Sequence, residues 1–523
     1  MKNSNCDILI IGAGAAGAAA AWNLSKSGFK ILCMDQGPII NPKSYSFDRL
    51  DWEHLSLKKF NIDPNIRGLK SDYPINNKNS PISVANFNAI GGSTILYSGH
   101  FPRFQKSDFK TKSLDNIGFD WPFEYEDLKP FYEINDRIMG VAGLSGDPAY
   151  PDIKNLLPPV NIEKSGEKIA KAFNKLGWHW WPSYSGIATK SYDGRKINSK
   201  SDVNRTYLPK AISNGVIIKP NCRVKKIKLD KNGRAKGVIY NDSRNIEKFQ
   251  AASLIIVACS GVGTPRLLLN SANKKFPNGL ANSSGLVGKN LMLHPLGFVE
   301  GKFEKNLDSH KGPQGCCIYS QEFYKSIKNE KFKRGYTIQI LRGTGPLETA
   351  LSLYKFNKIK FGQTFHKNFL NTFGHTVPAA IICEDLPEEH NCVKLDYQNK
   401  DSSNMPGVKI NYKLSDNSKK MLSHGISKVK ELMKIAGAKS MINFGPVRHT
   451  GWHLMGTAKM GSSKKKSVVN EFGQTHDIKN LVIADSSVFV TSGGVNPIST
   501  LQAIALRITN EIKKSPQKYF ELN

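Results

Sequence analysis

The stretch CDILIIGAGAAGAAAAWNLSKSGFKILCMDQG, Cys6 to Gly37, constrains the fold of this chain more than any other. Ile8 to Ile11 is an unbroken apolar run, which predicts a strand buried on both faces, as in a parallel sheet. Gly12, Gly14 and Gly17 follow at G-x-G-x-x-G spacing, with Ala15 and Ala16 between the last two. Ala18 to Leu24 has high helix propensity, and Gly28 ends that helix. A second apolar strand, KILCMD, closes on Asp35, 18 residues beyond Gly17.

Each position has its own physical role. Gly12 permits the tight turn, Gly14 lets backbone approach a pyrophosphate, and Gly17 lets helix and strand pack closely. The helix N-terminus, where Ala15 and Ala16 stand, offers unpaired N–H groups and a positive dipole end to phosphates. Asp35 falls where a carboxylate binds both ribose hydroxyls, which disfavours a 2′-phosphate and hence NADP. NAD and FAD both remain open on these residues.

The remaining composition excludes several function classes. The chain has 523 residues, 39% of them hydrophobic, enough for two to four domains or one elaborated enzyme. No run of about 18 apolar residues occurs, so no transmembrane helix is expected. Ile8 to Trp22 is too rich in glycine and alanine for a signal core and lacks a basic leader, so no signal peptide is expected. The net charge of +31 comes from lysines spread along the whole chain. That reads as a composition bias, with a lean toward an anionic substrate or surface; no basic helix with interleaved aromatics points to nucleic acid. The eight cysteines include no C-x-x-C pair, so a zinc ribbon is not expected, and they read as small apolar fillers.

Farther along, NFNAIGGSTILYSGHF carries a Gly91-Gly92-Ser93 turn, which is either a simple glycine turn or a second backbone pass over a cofactor. Asn204 to Asp242 reads as a helix followed by three strands, two of them a hairpin across DKNGR. SLIIVACSGVGTPRLLLNS repeats the strand–turn–helix style of the N-terminus. From about Val299 to Pro446 strand-like and helical runs mix, predicting a second, substrate-facing domain on an antiparallel sheet.

GWHLMGTAKMG, Gly451 to Gly461, raises a chemical question: His453 is a structural residue, a metal ligand or a proton carrier. His449 stands four residues earlier, a spacing that would pair the rings on a helix, but Gly451 and Gly456 argue against a helix and hence against a metal. His449 then either lines a substrate pocket or is structural. His100, His294 and His375 stand alone and receive no role.

The motif HLMGTAKMG, with VIADSSVFVTSGGVNP, the glycine fingerprint and GGST, resembles the glucose–methanol–choline (GMC) family of flavoprotein oxidoreductases, and within it the flavoprotein subunits of gluconate and fructose dehydrogenases. The resemblance runs from about residue 5 to residue 512. It implies an α/β fold: a Rossmann-like FAD-binding domain assembled from residues 1–150, 201–298 and 447–523, and a substrate domain, residues 299–446, whose antiparallel sheet is covered by helices. Residues 151–200 would make an excursion toward the substrate domain. It implies FAD as cofactor and matches His453 to the family's catalytic base and Asn496 to its partner. It also places Val224 at the adenine, Asp485 at the phosphates and ribityl chain, Gly91, Gly92 and Ser93 over the cofactor, and Pro497 behind Asn496. Leu96 stands where some members carry a flavin-linked histidine, so FAD is expected to be held non-covalently.

The expected reaction is oxidation of a CH–OH group of a sugar, polyol, sugar acid or other alcohol, with a lean toward sugars. A neutral imidazole can take the hydroxyl proton as the hydride leaves, and an asparagine amide can donate to the developing alkoxide. A dehydrogenase is expected, with a small subunit or cytochrome as electron acceptor. The alternatives are an oxidase using oxygen and, behind it, a flavin-containing lyase. Such a chain is cytoplasmic or exported with a partner subunit.

Overall fold

The computed structural model describes residues 6–328, 330–355 and 362–520; residues 1–5, 329, 356–361 and 521–523 of the expected segments lie outside the described residues. The described chain forms seven-, six- and three-stranded sheets. The seven-stranded sheet grows from the apolar N-terminal run. Cys6–Ile11 pairs in parallel with Ile31–Met34 on one side and with the end of Glu247–Val257 on the other. Ile31–Met34 continues in parallel to Ile217–Lys219, and Val257 pairs with Ile483 of Leu481–Ile483. The long strand Glu247–Val257 serves two neighbourhoods, because its first half pairs antiparallel with Ala235–Asn241, which in turn pairs with Arg223–Leu229.

Register aligns the ends that matter. Ile11 lies opposite Met34 and Val257, and Val257 opposite Ile483. The next residues of these strands, Gly12, Asp35, Ala258 and Ala484, therefore emerge along one edge. From Cys6–Ile11 the sheet extends in both directions through separate crossovers, and this switch point is where open α/β sheets bind ligands.

Helix Ala15–Leu24 packs against this sheet and against the C-terminal helix Ile498–Lys514. Its closeness requires Gly17, since a Cβ there would lie 1.8 Å from the Gly12 carbonyl oxygen. Gly12 itself has φ +102, and a Cβ would meet the Ala258 carbonyl oxygen at 2.4 Å. Alanine elsewhere on this helix is buried on nearly every side, which suits a helix wedged between layers rather than an amphipathic surface one.

The six-stranded sheet is antiparallel, in the order Ser440–Phe444, Leu296–Lys302, Thr376–Cys383, Tyr336–Leu341, Cys316–Ser320, Trp181–Pro182. Its period-2 alternation gives two faces. Val299, Ile338, Ile340, Val377, Ala379 and Ile381 pack with Met421, Leu422, Val429, Leu432 and Met433 of the helix Asp416–Ile435. Ser415 caps that helix by accepting the Ser418 N–H. Each fully buried Leu, Met or Val here contributes about 1.5–3 kcal/mol. The opposite face carries Leu296, Phe298, Pro378, Ala380 and Ile382 into a cavity.

Candidate active site

The cavity measures about 1960 Å³, roughly twice the upper end of an ordinary small-ligand pocket of about 1000 Å³. One end is the strand-edge region of the seven-stranded sheet; the other is the open face of the six-stranded sheet. Gly12, Gly14, Ala15, Ala16, Asp35, Gly92, Ser93, Val224, Asp485, Pro497, His453 and Asn496 all line it. Gly17 and Gly91 do not. Gly17 acts behind the wall, in the helix–strand contact above. Gly91, at φ 98, donates its N–H to the Ala13 carbonyl and so fastens the second glycine turn to the first.

The dinucleotide end is a cradle of bare backbone. A Cβ on Gly14 would project toward open space and touch only the Gly92 Cα at 3.8 Å. Helix Ala15–Leu24 has no side-chain N-cap, so its first N–H groups and dipole face the cavity without a counter-charge from a capping residue. An anion such as a pyrophosphate fits that donor set. Each Asp35 carboxylate oxygen accepts one backbone N–H at 2.8 Å, from Ala13 and from Gly37. Each oxygen keeps a second lone-pair site for a hydroxyl donor. Burial pushes Asp35 up to about 6, while the two N–H bonds pull it down. The Asp485 carboxylate accepts from Ser487 N–H (2.8 Å), Ser260 N–H (3.0 Å) and the Thr264 hydroxyl (2.5 Å). It ties strand Leu481–Ile483 to helix Ser260–Asn270, which leaves Ser486 and neighbouring backbone to face the cavity.

At the other end, His453 and Asn496 meet. Asn496 Nδ2 lies 3.4 Å from His453 Nε2. The amide is oriented by Gln339, whose Nε2 donates to Asn496 Oδ1 at 2.6 Å. The loop bearing Asn496 is anchored throughout. Trp121 Nε1 donates to the Thr491 hydroxyl at 2.7 Å, Asp385 N–H to Ser492 Oγ at 2.8 Å, and Gly494 N–H to Tyr324 Oη at 3.1 Å. Beneath it, buried Arg334 pairs with Asp108, with Glu384 at 2.8 Å and with Asp115 at 3.2 Å. Pro497 ends the loop, and helix Ile498–Lys514 starts there with its positive dipole end at the cavity.

His453 also has a partner that the sequence left without a role. His294 Nδ1 lies 2.8 Å from His453 Nδ1, and His294 Nε2 lies 2.6 Å from the Gly493 carbonyl oxygen. Burial lowers His453 well below the usual imidazole value, with His294 and His100 adding to the shift, and burial lowers His294 to about 4. Both rings are therefore neutral near pH 7. Their separation of 159 positions in sequence hides this contact; the only local hint is a histidine before proline in NLMLHPLG. His100 lines the same cavity: its Nδ1 is 3.2 Å from Ser183 Oγ, and its buried Nε2 has no protein partner. His449 does not line this cavity; its Nδ1 lies 3.0 Å from Ser83 Oγ. His375 Nδ1 meets the Phe303 carbonyl at 3.2 Å, away from this wall.

A bare-backbone cradle at one end of the cavity and a histidine–asparagine pair at the other suit a nucleotide-dependent oxidoreductase. Comparison with known proteins makes the class specific. GMC oxidoreductase family models match residues 6–296 and 387–505. The chain is 38% identical to 2-methyl-1,2-propanediol dehydrogenase of Mycolicibacterium austroafricanum, over 97% of this chain and 95% of that one. It is 25% identical to the fructose dehydrogenase large subunit of Gluconobacter japonicus, over 98% and 99%. Pyridoxine 4-oxidase from Mesorbium loti shares the fold with a TM-score of 0.66 at 16% identity, over 97% of this chain and 99% of that one. The chain belongs to the GMC oxidoreductase family. FAD is the cofactor of that family, and the cradle's donor set fits it. Among the described residues no helix is long and apolar enough to cross a membrane.

Proposed function

We propose that this chain is a dehydrogenase that oxidises a small alcohol with a largely apolar carbon skeleton, using non-covalently held FAD. The carrying observation is the convergence of His453 Nε2 and Asn496 Nδ2 beside an apolar wall. Gln339, which holds Asn496, stands in register with Ala380, and Ala380 with Phe298. That row and its neighbours Leu296, Pro378 and Ile382 are apolar apart from Gln339 itself, and Glu300, in register with Pro378, stands farther along the same face. A sugar would bring several hydroxyls against this wall, each costing about 1–3 kcal/mol if left unpaired. A two-carbon or branched aliphatic skeleton does not. His100 Nε2, buried without a protein partner, offers a place for one further hydroxyl, which favours a diol over the sugars the sequence leaned toward. The 38% identical relative, named for a branched diol, supports the same class.

In this reading the substrate hydroxyl sits between the two side chains, accepting from Asn496 Nδ2 and donating to His453 Nε2. FAD, when bound, would supply the hydride acceptor for the carbinol carbon. As the C–H bond breaks, the O–H proton passes to His453 Nε2 and the carbon becomes a carbonyl. General-base help of this kind is worth about 10²- to 10⁴-fold. Asn496 stabilises the developing negative oxygen, and Gln339 keeps its amide from turning. The segments 1–150, 201–298 and 447–523 would hold FAD and 299–446 would face the substrate, with 151–200 reaching across to it. Leu96 lines the cavity and has no nucleophilic atom, which supports FAD held by contacts alone. Electrons would leave to an acceptor other than oxygen, such as a partner subunit or cytochrome.

The test is anaerobic titration of the yellow protein with 2-methyl-1,2-propanediol, 1-propanol, D-fructose and D-gluconate. Bleaching by the diol, weaker bleaching by the simple alcohol and none by the sugars is expected. Bleaching by fructose or gluconate alone would overturn the substrate assignment. Acid precipitation should leave the yellow colour in the supernatant; colour retained in the pellet would overturn non-covalent binding.

A further inference from the structure

We infer that His294 is a positioning residue that holds His453 in the neutral tautomer whose Nε2 lone pair faces the substrate. This rests on the reading of His453 as the base. The argument starts from the carbonyl. His294 Nε2 lies 2.6 Å from the Gly493 carbonyl oxygen and 3.2 Å from that of Ser492. Carbonyl oxygens only accept, so His294 Nε2 carries a hydrogen. A neutral ring with a hydrogen on Nε2 has a lone pair on Nδ1. His453 Nδ1, 2.8 Å away, must then donate, and its hydrogen leaves Nε2 bare. That bare nitrogen is the one beside Asn496 Nδ2.

The rings meet edge to face, with planes at 84°, and His294 is only 1% exposed. Its backbone sits at φ 55, in the left-handed region that non-glycine residues seldom occupy. Asp385 braces both sides of the contact. It accepts the Leu293 N–H at 2.9 Å, and its own N–H reaches Ser492 Oγ at 2.8 Å. The titratable rings facing His453 are His294 and His100, and burial lowers His100 to about 3. Neither brings a charge that would favour the other tautomer. After proton transfer, the His453 imidazolium keeps Nδ1–H directed at the His294 lone pair, so one contact serves both protonation states.

Three variants of the FAD-loaded enzyme separate this role from loop anchoring. His294→Asn can place a carbonyl oxygen near the Nδ1 position and keep the acceptor. His294→Gln reaches the Nε2 position and keeps the link to Gly493. His294→Leu keeps neither. Anaerobic flavin reduction should fall about tenfold or more in the Gln and Leu variants, with KM little changed, and be largely restored in Asn. Rescue by Gln and not by Asn would overturn the inference, as would parent-like rates in all three. A direct reading uses the parent enzyme labelled with 15N-histidine, its His453 signals assigned by their loss in His453→Asn. Nε2 should show the shift of an unprotonated ring nitrogen and Nδ1 that of a protonated one; the reverse overturns the inference even if the variants fold poorly. Full-rate flavin reduction by His453→Ala would instead remove the base reading itself.

Discussion

Replacing Gln339 by glutamate reverses the polarity of the contact that orients Asn496. Gln339 Nε2 now donates to Asn496 Oδ1 at 2.6 Å. A carboxylate there puts two acceptors face to face, and Asn496 relieves this by turning its amide over. Oδ1 then faces His453 Nε2, and the site loses its donor to the developing alkoxide. Loss of one such donor costs about 2–4 kcal/mol of transition-state stabilisation, or roughly 30- to 10³-fold in rate. Gln339→Leu removes the orienting donor without imposing the flip. It leaves Oδ1 unpaired and should slow reduction less, by about five- to thirtyfold. Gln339 belongs to the six-stranded sheet, away from the glycine cradle, so flavin content should match the parent in both variants. Anaerobic stopped-flow absorbance of flavin bleaching measures the rates. Equal rates for Gln339→Glu and the parent, at full flavin occupancy, would refute the assigned role of Asn496.

Other expectations follow from the same geometry. Asp35→Ala uncovers the Ala13 and Gly37 N–H groups as well as any ribose contact, so cofactor affinity should fall by about 1.5–3 kcal/mol, seen as partial apoprotein after purification. Burial lowers His453 below the ordinary imidazole range, which keeps the base form populated as pH falls. The rate of flavin reduction should therefore stay level from pH 8 through about 6.5, whereas a midpoint at the ordinary value would contradict that environment. Arg334→Met strands the buried carboxylates of Asp108 and Glu384, which should cost about 3–5 kcal/mol by denaturant unfolding at pH 7. Burial raises Glu384, to about 7, so it takes up a proton as pH falls and the loss should shrink toward pH 5.

Much of this protein is legible in short stretches of its chain. The strand, glycine turn, helix and acid of Cys6 to Gly37 occupy one local unit, and local propensity with close-packing rules is enough to predict it. The apolar alternation in GYTIQIL and AAIICEDL likewise announces a two-faced sheet, because strand periodicity is a property of neighbours in sequence. His453 and Asn496 were found through motifs that reach across 43 residues. Tertiary structure alone decided the rest. The His294–His453 pair, Gln339 behind Asn496, and the His100 ring held by Ser183 at the cavity join residues from separate segments. Hydrogen-bond direction, and with it the tautomer of His453, depends on which carbonyl a folded backbone presents. The largely apolar wall of the cavity depends on which face of the sheet the helix Asp416–Ile435 covers. Alternation shows that two faces exist; only packing chooses which one lines the cavity.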